Sequence, residues 1–180
     1  MGKQNNKSDF VFQSITLIGI GLIGSSIARA VKKRNDLVQT VTLTDVNAEV
    51  RQKAKEIGLG DHVLDDVSVA VKDADCVILC TPIGNYAEIM QNISNHLKSG
   101  CIVSDVGSVK RAPIADMSPH IPDGVHLVPG HPIAGTEKSG PESGFAELFE
   151  GRYWLLTPGL ETARNATQRM RNLFEGIGAM

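Results

Sequence analysis

The chain has 180 residues, 42% of them hydrophobic and 21% charged, with a formal net charge of −2, which is enough for one domain with a real core. So even a balance argues against a surface built to neutralise nucleic-acid phosphates, and no apolar run approaches the ~20 residues that span a bilayer. Cys76, Cys80 and Cys101 all lie in apolar runs; an odd number in such settings reads as small core residues in a reducing compartment, the cytoplasm, and not as disulfides or metal ligands.

The first 13 residues are polar for most of their length and lack the apolar core of a signal peptide, so they are expected to form a flexible tail before a single domain over 14–180. Ile15-Thr16-Leu17-Ile18 is then a short apolar run of strand length. It flows into Gly19-Ile20-Gly21-Leu22-Ile23-Gly24 and on into residues apolar at helical spacing. Glycines at that handover suit a dinucleotide: Gly19 permits the tight turn, Gly21 the close approach of a pyrophosphate, and Gly24 close packing of helix on strand. The unpaired N–H groups of a helix starting near Leu22 and Ile23 would face the phosphates.

A second strand, Val41–Asp45, ends in an acid. Asp45 follows Gly24 at the spacing from which a carboxylate reaches the adenosine ribose hydroxyls, although it or Asn47 could instead cap the helix expected over Ala48–Ile57. A carboxylate there repels the 2′-phosphate of NADP, and no arginine immediately follows it, so NAD is the expected cofactor. His62–Asp65 reads as a short edge strand and Val67–Lys72 as a short helix. Asp75–Pro82 is a continuous apolar strand of the kind that parallel sheets bury on both faces, broken by Thr81-Pro82 at the edge where ligands bind in open α/β sheets. A helix over Tyr86–Leu97 and a strand over Cys101–Asp105 follow.

Two later stretches carry suggestive chemistry. In Asp105-Val106-Gly107-Ser108-Val109-Lys110, Ser108 either caps the next helix or holds a substrate oxygen. After a sixth strand (Val125–Pro129), the loop from Gly130 to Gly140 sets His131 between Gly130 and Pro132. An imidazole on the ligand edge of a nicotinamide-binding sheet can take up the proton of a hydroxyl whose carbon is losing hydride. Thr136 and Glu137 are close enough in sequence to line the same pocket, although Glu137-Lys138 could equally face solvent. His62, His96, His120 and His126 have no comparable setting. Helix-compatible Gly144–Glu150, a strand over Tyr153–Thr157, a helix over Glu161–Phe174 and the start of another strand at 176–180 complete the chain. This alternation predicts an α/β fold, a Rossmann-type doubly wound and mainly parallel sheet.

The run Gly130-His131-Pro132-Ile133-Ala134-Gly135-Thr136-Glu137-Lys138-Ser139-Gly140 resembles the signature of the prephenate/arogenate (cyclohexadienyl) dehydrogenase family of tyrosine biosynthesis. Gly19–Gly24, Leu79-Cys80-Thr81-Pro82-Ile83 and Asp105–Lys110 match it in the same order. The resemblance covers about Ile15 to Met180. It implies oxidative decarboxylation of prephenate or arogenate with NAD. His131 would accept a hydrogen bond from the ring hydroxyl, and Ser108 would orient the same hydroxyl and contact the nicotinamide. Thr136 and Glu137 would stand at the substrate pocket, and Gly19, Gly21, Leu22, Ile23, Gly24, Asp45, Thr81 and Pro82 would hold the cofactor. Family members continue into a helical C-terminal domain that dimerises and supplies cations for the substrate carboxylates. This chain ends before it, with Arg111, Lys138 and Arg152 as the available cations, so a homodimer is expected of the full-length protein. No metal, nucleic acid or membrane enters the expectation. Two competing readings are another small β-hydroxyacid or imine oxidoreductase on the same fold, and a non-catalytic NAD-sensing module.

Overall fold

The computed structural model describes residues 10–180; most of the expected tail lies outside them. Its last residues are not tail. The first strand, β1, runs Phe12–Ile18, two residues before the expected boundary at 14, because Phe12 is fully buried. The Arg169 guanidinium lies 4.3 Å from the centre of the Phe12 ring and donates to the Val11 carbonyl at 3.1 Å.

From there strand and helix alternate: α1 (Leu22–Lys33), β2 (Val38–Thr44), α2 (Ala48–Glu56), β3 (His62–Leu64), α3 (Val67–Val71), β4 (Cys76–Leu79), α4 (Tyr86–Ile93), β5 (Ile102–Asp105), α5 (Arg111–Met117) and β6 (His126–Leu127). The six strands form one sheet in the order β3-β2-β1-β4-β5-β6, every pairing parallel. Chain direction across the sheet reverses between β1 and β4, and a doubly wound sheet binds ligands in the crevice beyond such a point.

Side-chain alternation explains why helices cover both faces. Along β4, Cys76 and Ile78 enter one core with Ile15 and Leu17 of β1. Val77 and Leu79 point the other way, into a second core with Tyr86, Met90 and Ile93 of α4. A strand buried on both faces has no solvated side, hence its unbroken apolar sequence. Thr16, the fully buried polar residue of β1, donates its hydroxyl to the Ala70 carbonyl at 2.6 Å.

The last third departs from the sequence expectation. Gly130–Pro132, read as part of a loop, is a strand (β7). It pairs antiparallel with β8 (Trp154–Leu156) in a separate two-stranded sheet, with His131 opposite Leu155 and Pro132 opposite Trp154. Trp154 anchors this ribbon, stacked on Phe174 of α6 (Arg164–Gly176) with ring centres 3.7 Å apart. The helix expected over Gly144–Glu150 is only a 3₁₀ turn, Ala146–Phe149, and α6 begins at Arg164 because Thr162 turns back to bond the Leu127 carbonyl. Met180 does start a strand-like pairing along the other edge of β8: its N–H bonds the Arg152 carbonyl, and its carbonyl accepts from Trp154. Among the described residues no helix is long and apolar enough to cross a membrane.

Candidate active site

The glycine turn is built where β1 hands over to α1. Gly19 has φ +98°, a left-handed conformation that side chains resist, and a Cβ there would lie 2.8 Å from the Cys80 carbonyl carbon. At Gly24 a Cβ would meet the Gly19 carbonyl oxygen at 2.1 Å, so helix and turn touch backbone to backbone. Gly21 is the N-cap of α1 and has nothing within 4 Å of where its Cβ would be. Two of the three glycines are thus required by the fold itself. Gly21 is instead open towards a cavity of about 450 Å³ lined by Gly19, Asp45, Val46, Thr81, Pro82 and Ile89. The cavity, the bare backbone at Gly21 and the free N–H groups of the α1 N-terminus fit a dinucleotide.

Asp45 stands just past the end of β2. One carboxylate oxygen accepts from the Ile20 N–H at 2.8 Å and the other from the Asn47 N–H at 2.9 Å. Asp45 therefore ties the second strand to the glycine turn, and it does not cap α2. Asn47 does, accepting from Glu49 and Val50. Thr81 and Pro82 line the cavity as expected. Leu22 and Ile23 do not: Leu22 is buried in the core and Ile23 packs against it, so any contact they make to a phosphate is through the backbone of the first helical turn. Sequence reasoning missed Arg51, whose guanidinium holds the Asp45 and Val46 carbonyls at 2.7 and 3.0 Å. A cation does stand near Asp45, six residues on, one helical turn and a half away. The polar far wall of the cavity, Asp65, Asn85 and Glu88, also gave no sequence signal, since Asp65 follows β3 while Asn85 and Glu88 lie at the start of α4.

The chemistry-bearing stretches meet at the carboxyl end of β5. Ser108 is exposed, and the helix after it starts at Arg111 with Lys110 at the N-cap and no side-chain cap; the capping role is excluded. His131 is half-buried on β7. Between the two loops lies Asp105, fully buried. It accepts from the Gly107 N–H at 2.9 Å through one oxygen and from the Gly130 N–H at 3.1 Å through the other. Lys110 bonds both the Asp105 carboxylate and the Gly130 carbonyl. Burial pushes the Lys110 ammonium below its ordinary pKa against the opposing pull of Asp105. Tyr86 is buried alongside, its hydroxyl donating to the Leu79 carbonyl at 3.3 Å, and burial and the Asp105 charge both hold its pKa well up.

Thr136 lines a second opening of about 460 Å³ with Ile133, Gly135, Phe145 and Arg152. Its hydroxyl accepts from the Lys138 N–H at 3.3 Å. Glu137 is exposed on the same loop but does not line that opening. Among the described residues no group of three His, Cys, Asp or Glu side chains is placed to hold a metal.

A family model described as "Prephenate dehydrogenase, nucleotide-binding domain" matches residues 27–180. The cyclohexadienyl dehydrogenase of Zymomonas mobilis is 42% identical over 168 residues, which cover 93% of this chain and 57% of that protein. The prephenate dehydrogenase of Bacillus subtilis is 32% identical over 167 residues, 92% of this chain and 45% of that one. A crystal structure of prephenate dehydrogenase from A. aeolicus, in complex with hydroxyphenyl propionate and NAD+, superposes with a TM-score of 0.85 at 29% identity, covering 93% of this chain and 58% of that chain. The chain spans about half the length of the curated relatives it matches. Matched by that family model from the middle of α1 to its last residue, the chain belongs to the prephenate dehydrogenase family, as its nucleotide-binding domain.

Proposed function

We propose that this chain carries the cofactor half, and the proton-accepting residue, of an NAD-dependent enzyme that oxidatively decarboxylates prephenate to 4-hydroxyphenylpyruvate, arogenate to tyrosine, or both, in the cytoplasm. The observation that supports it best is the location of His131. It is half-buried beside the carboxyl end of β5, two strands over from the glycine turn in the sheet order, in a chain of this family.

NAD bound at the glycine turn supplies the hydride acceptor. Gly21 leaves room for its pyrophosphate, and Asp45 bonds the ribose hydroxyls and repels a 2′-phosphate. The hydride departs from the ring carbon that carries the hydroxyl, and His131 takes up the hydroxyl proton as the carbonyl forms. The bond from the ring to its carboxylate then breaks, its electron pair passing through the ring to the carbonyl oxygen, which regains the proton from His131 as carbon dioxide leaves and the ring becomes aromatic. Imidazole is the side chain whose ordinary pKa suits that task near neutrality. Ser108 orients the same hydroxyl, while Thr136 and Glu137 border the substrate. The chain's own work is mainly positioning and one proton transfer. In the full-length protein the partner is a second copy, a reading supported by the exposed apolar side chains of Ile133, Tyr153 and Leu155 on the face of the β7–β8 ribbon that also carries His131.

The test is to mix the chain with NAD and prephenate, then arogenate, and follow reduced nicotinamide by absorbance. His131→Asn should cut turnover by about 10²–10⁴-fold and leave NAD affinity within threefold. Turnover indifferent to His131→Asn would remove His131 from the mechanism. NAD binding without turnover of either substrate would confine the chain to cofactor binding.

A further inference from the structure

We propose that the buried Asp105–Lys110 ion pair is the positioning device that sets His131 and Ser108 against each other, gripping each through the glycine that precedes it. The inference rests on the functional reading above, which makes those two side chains the reacting pair.

Both oxygens of the Asp105 carboxylate take part. Oδ2 accepts from the Gly107 N–H at 2.9 Å and from the Lys110 ammonium, and Oδ1 accepts from the Gly130 N–H at 3.1 Å. Lys110 closes the ring by bonding the Gly130 carbonyl. Both polar backbone atoms of Gly130 are therefore held by one ion pair, one bond away from His131. The loop holding Ser108 is closed from the same carboxylate at both ends, Gly107 before it and Lys110 after it. Gly130 permits this approach because it has no side chain: a Cβ there would lie 2.8 Å from the Trp154 indole nitrogen and 2.9 Å from the Asp105 carbonyl.

Stability alone does not account for such a pair. Desolvating both charges costs much of what their attraction returns, and apolar replacements of the same volume are often as stable or more so. What a buried, fully hydrogen-bonded pair supplies is a fixed geometry. Reactive groups displaced by about 1 Å lose about 10²-fold in rate. Asp105 has no exposed surface and Lys110 little, its side chain 16% exposed, so neither needs to touch substrate to exert this control.

The test compares the 180-residue wild type with Lys110→Met and with the double variant Asp105→Asn with Lys110→Met, which removes both charges and leaves no unpaired ion. Lys110→Arg serves as the conservative replacement. Amide exchange and the His131 ring resonances are recorded by NMR, with NAD affinity by calorimetry. The expected result is at least tenfold faster exchange at Gly107 and Gly130 and a shifted or broadened His131 ring signal in Lys110→Met and in the double variant. NAD affinity should stay within threefold, and Lys110→Arg should recover part of the wild-type spectrum. Where the wild type turns over substrate, kcat should fall about 10²-fold with the KM for NAD nearly unchanged. Unchanged exchange and an unchanged His131 ring in Lys110→Met overturn the proposal. So does loss of NAD binding together with cooperative unfolding in both charge-removing variants, which would make the pair a folding element. A wild type that binds NAD without turning over substrate counts against the functional reading, while the spectra still decide whether the pair positions His131.

Discussion

Alanine at two of the three glycines separates what the fold needs from what a dinucleotide needs. At Gly24 a Cβ would stand 2.1 Å from the Gly19 carbonyl oxygen, where real contacts essentially never fall below 3.0 Å. Turn and helix must therefore part by at least the difference, 0.9 Å. Overpacking of this kind costs about 1–3 kcal/mol, and alanine's better helix propensity returns at most about 1 kcal/mol. The net loss, up to about 2 kcal/mol when propensity returns its full value, lowers the Tm of a chain this long by up to about 8 °C. The displaced turn carries the Ile20 N–H that holds Asp45, so NAD affinity should fall at the same time. Gly21→Ala meets nothing within 4 Å, and alanine at an N-cap costs no more than about 1 kcal/mol against glycine. Its Tm should drop by less than about 4 °C, but a pyrophosphate lying against that backbone should lose tenfold or more in affinity.

Thermal melts with and without NAD, backed by calorimetry, read both effects. At a concentration 100 times the wild-type Kd, NAD stabilises the wild type by about 2.7 kcal/mol, and a variant binding tenfold more weakly by about 1.4 kcal/mol. The ligand-induced rise in Tm should therefore be roughly halved in Gly21→Ala, while its unliganded melt stays close to the wild type. A Gly21→Ala protein that binds NAD within twofold of the wild type would show that the pyrophosphate does not cross there. A Gly24→Ala protein with an unshifted Tm would refute the packing argument.

Three further expectations come from other parts of the molecule. Asp45→Asn keeps an acceptor for the Ile20 or Asn47 N–H but removes the charge that opposes a 2′-phosphate, so the preference for NAD over NADP, measured as the ratio of dissociation constants, should narrow about tenfold or more; an unmoved ratio would remove Asp45 from cofactor choice. Asp75 joins the Gln13 and Ser14 N–H groups to the Lys98 ammonium at 2.7 Å. Burial raises its pKa, but Lys98 and those N–H groups outweigh burial and hold it below the ordinary carboxylate value. Its stabilising contribution is therefore complete above the unfolded pKa of about 4 and is lost as pH falls through the lower folded value. Asp75→Asn should cost about 1.5–3 kcal/mol at pH 7 and flatten the acid limb of a stability-against-pH curve; parallel curves for variant and wild type would refute this. Burial pushes the Cys101 thiol up to about 12 and Cys76 well above its ordinary value, so on the order of 10⁻⁴ of Cys101 is thiolate at pH 8. Neither thiol should react with a disulfide reagent until the chain unfolds, and prompt labelling of either in the native protein would contradict their burial.

How far each part of the site could be read ahead depends on how local its cause is. The glycine turn was legible because its requirements are met within six residues: an apolar run, three glycines at fixed spacing and a helical period. Asp45 was legible by its distance from that turn. Ser108 is instructive because a residue that rules out its capping role stands five positions further along the sequence. A helix capped by Ser108 would begin at Val109 and put Pro113 at its fifth position, where the missing N–H and the ring would break the bond to the Val109 carbonyl. Started at Arg111, the helix carries Pro113 within its first turn, where no N–H is needed. The strand character of Gly130–Pro132 was not legible, since three residues containing a glycine and a proline carry no period. They become a strand only because Trp154–Leu156, more than 20 residues on, lies beside them.

The Asp105–Lys110 pair marks the boundary between these cases. Both residues belong to the stretch that pointed to Ser108, yet nothing in that stretch says whether the acid faces water, a ligand or the interior. An acid at the end of a buried strand on the ligand edge of such a sheet is, from sequence alone, as good a candidate for substrate contact as the serine beside it. What decides against contact is the fold. β5 pairs with β4 along its whole length, leaving Asp105 beside Leu79 with no exposed surface. A bare carboxylate cannot be held there without donors. Its donors come from Gly107, Lys110 and Gly130, so satisfying that one buried charge draws the Ser108 and His131 loops together. The need to neutralise Asp105 thereby becomes the reason Gly107 and Gly130, and with them the loops of Ser108 and His131, meet at the end of β5.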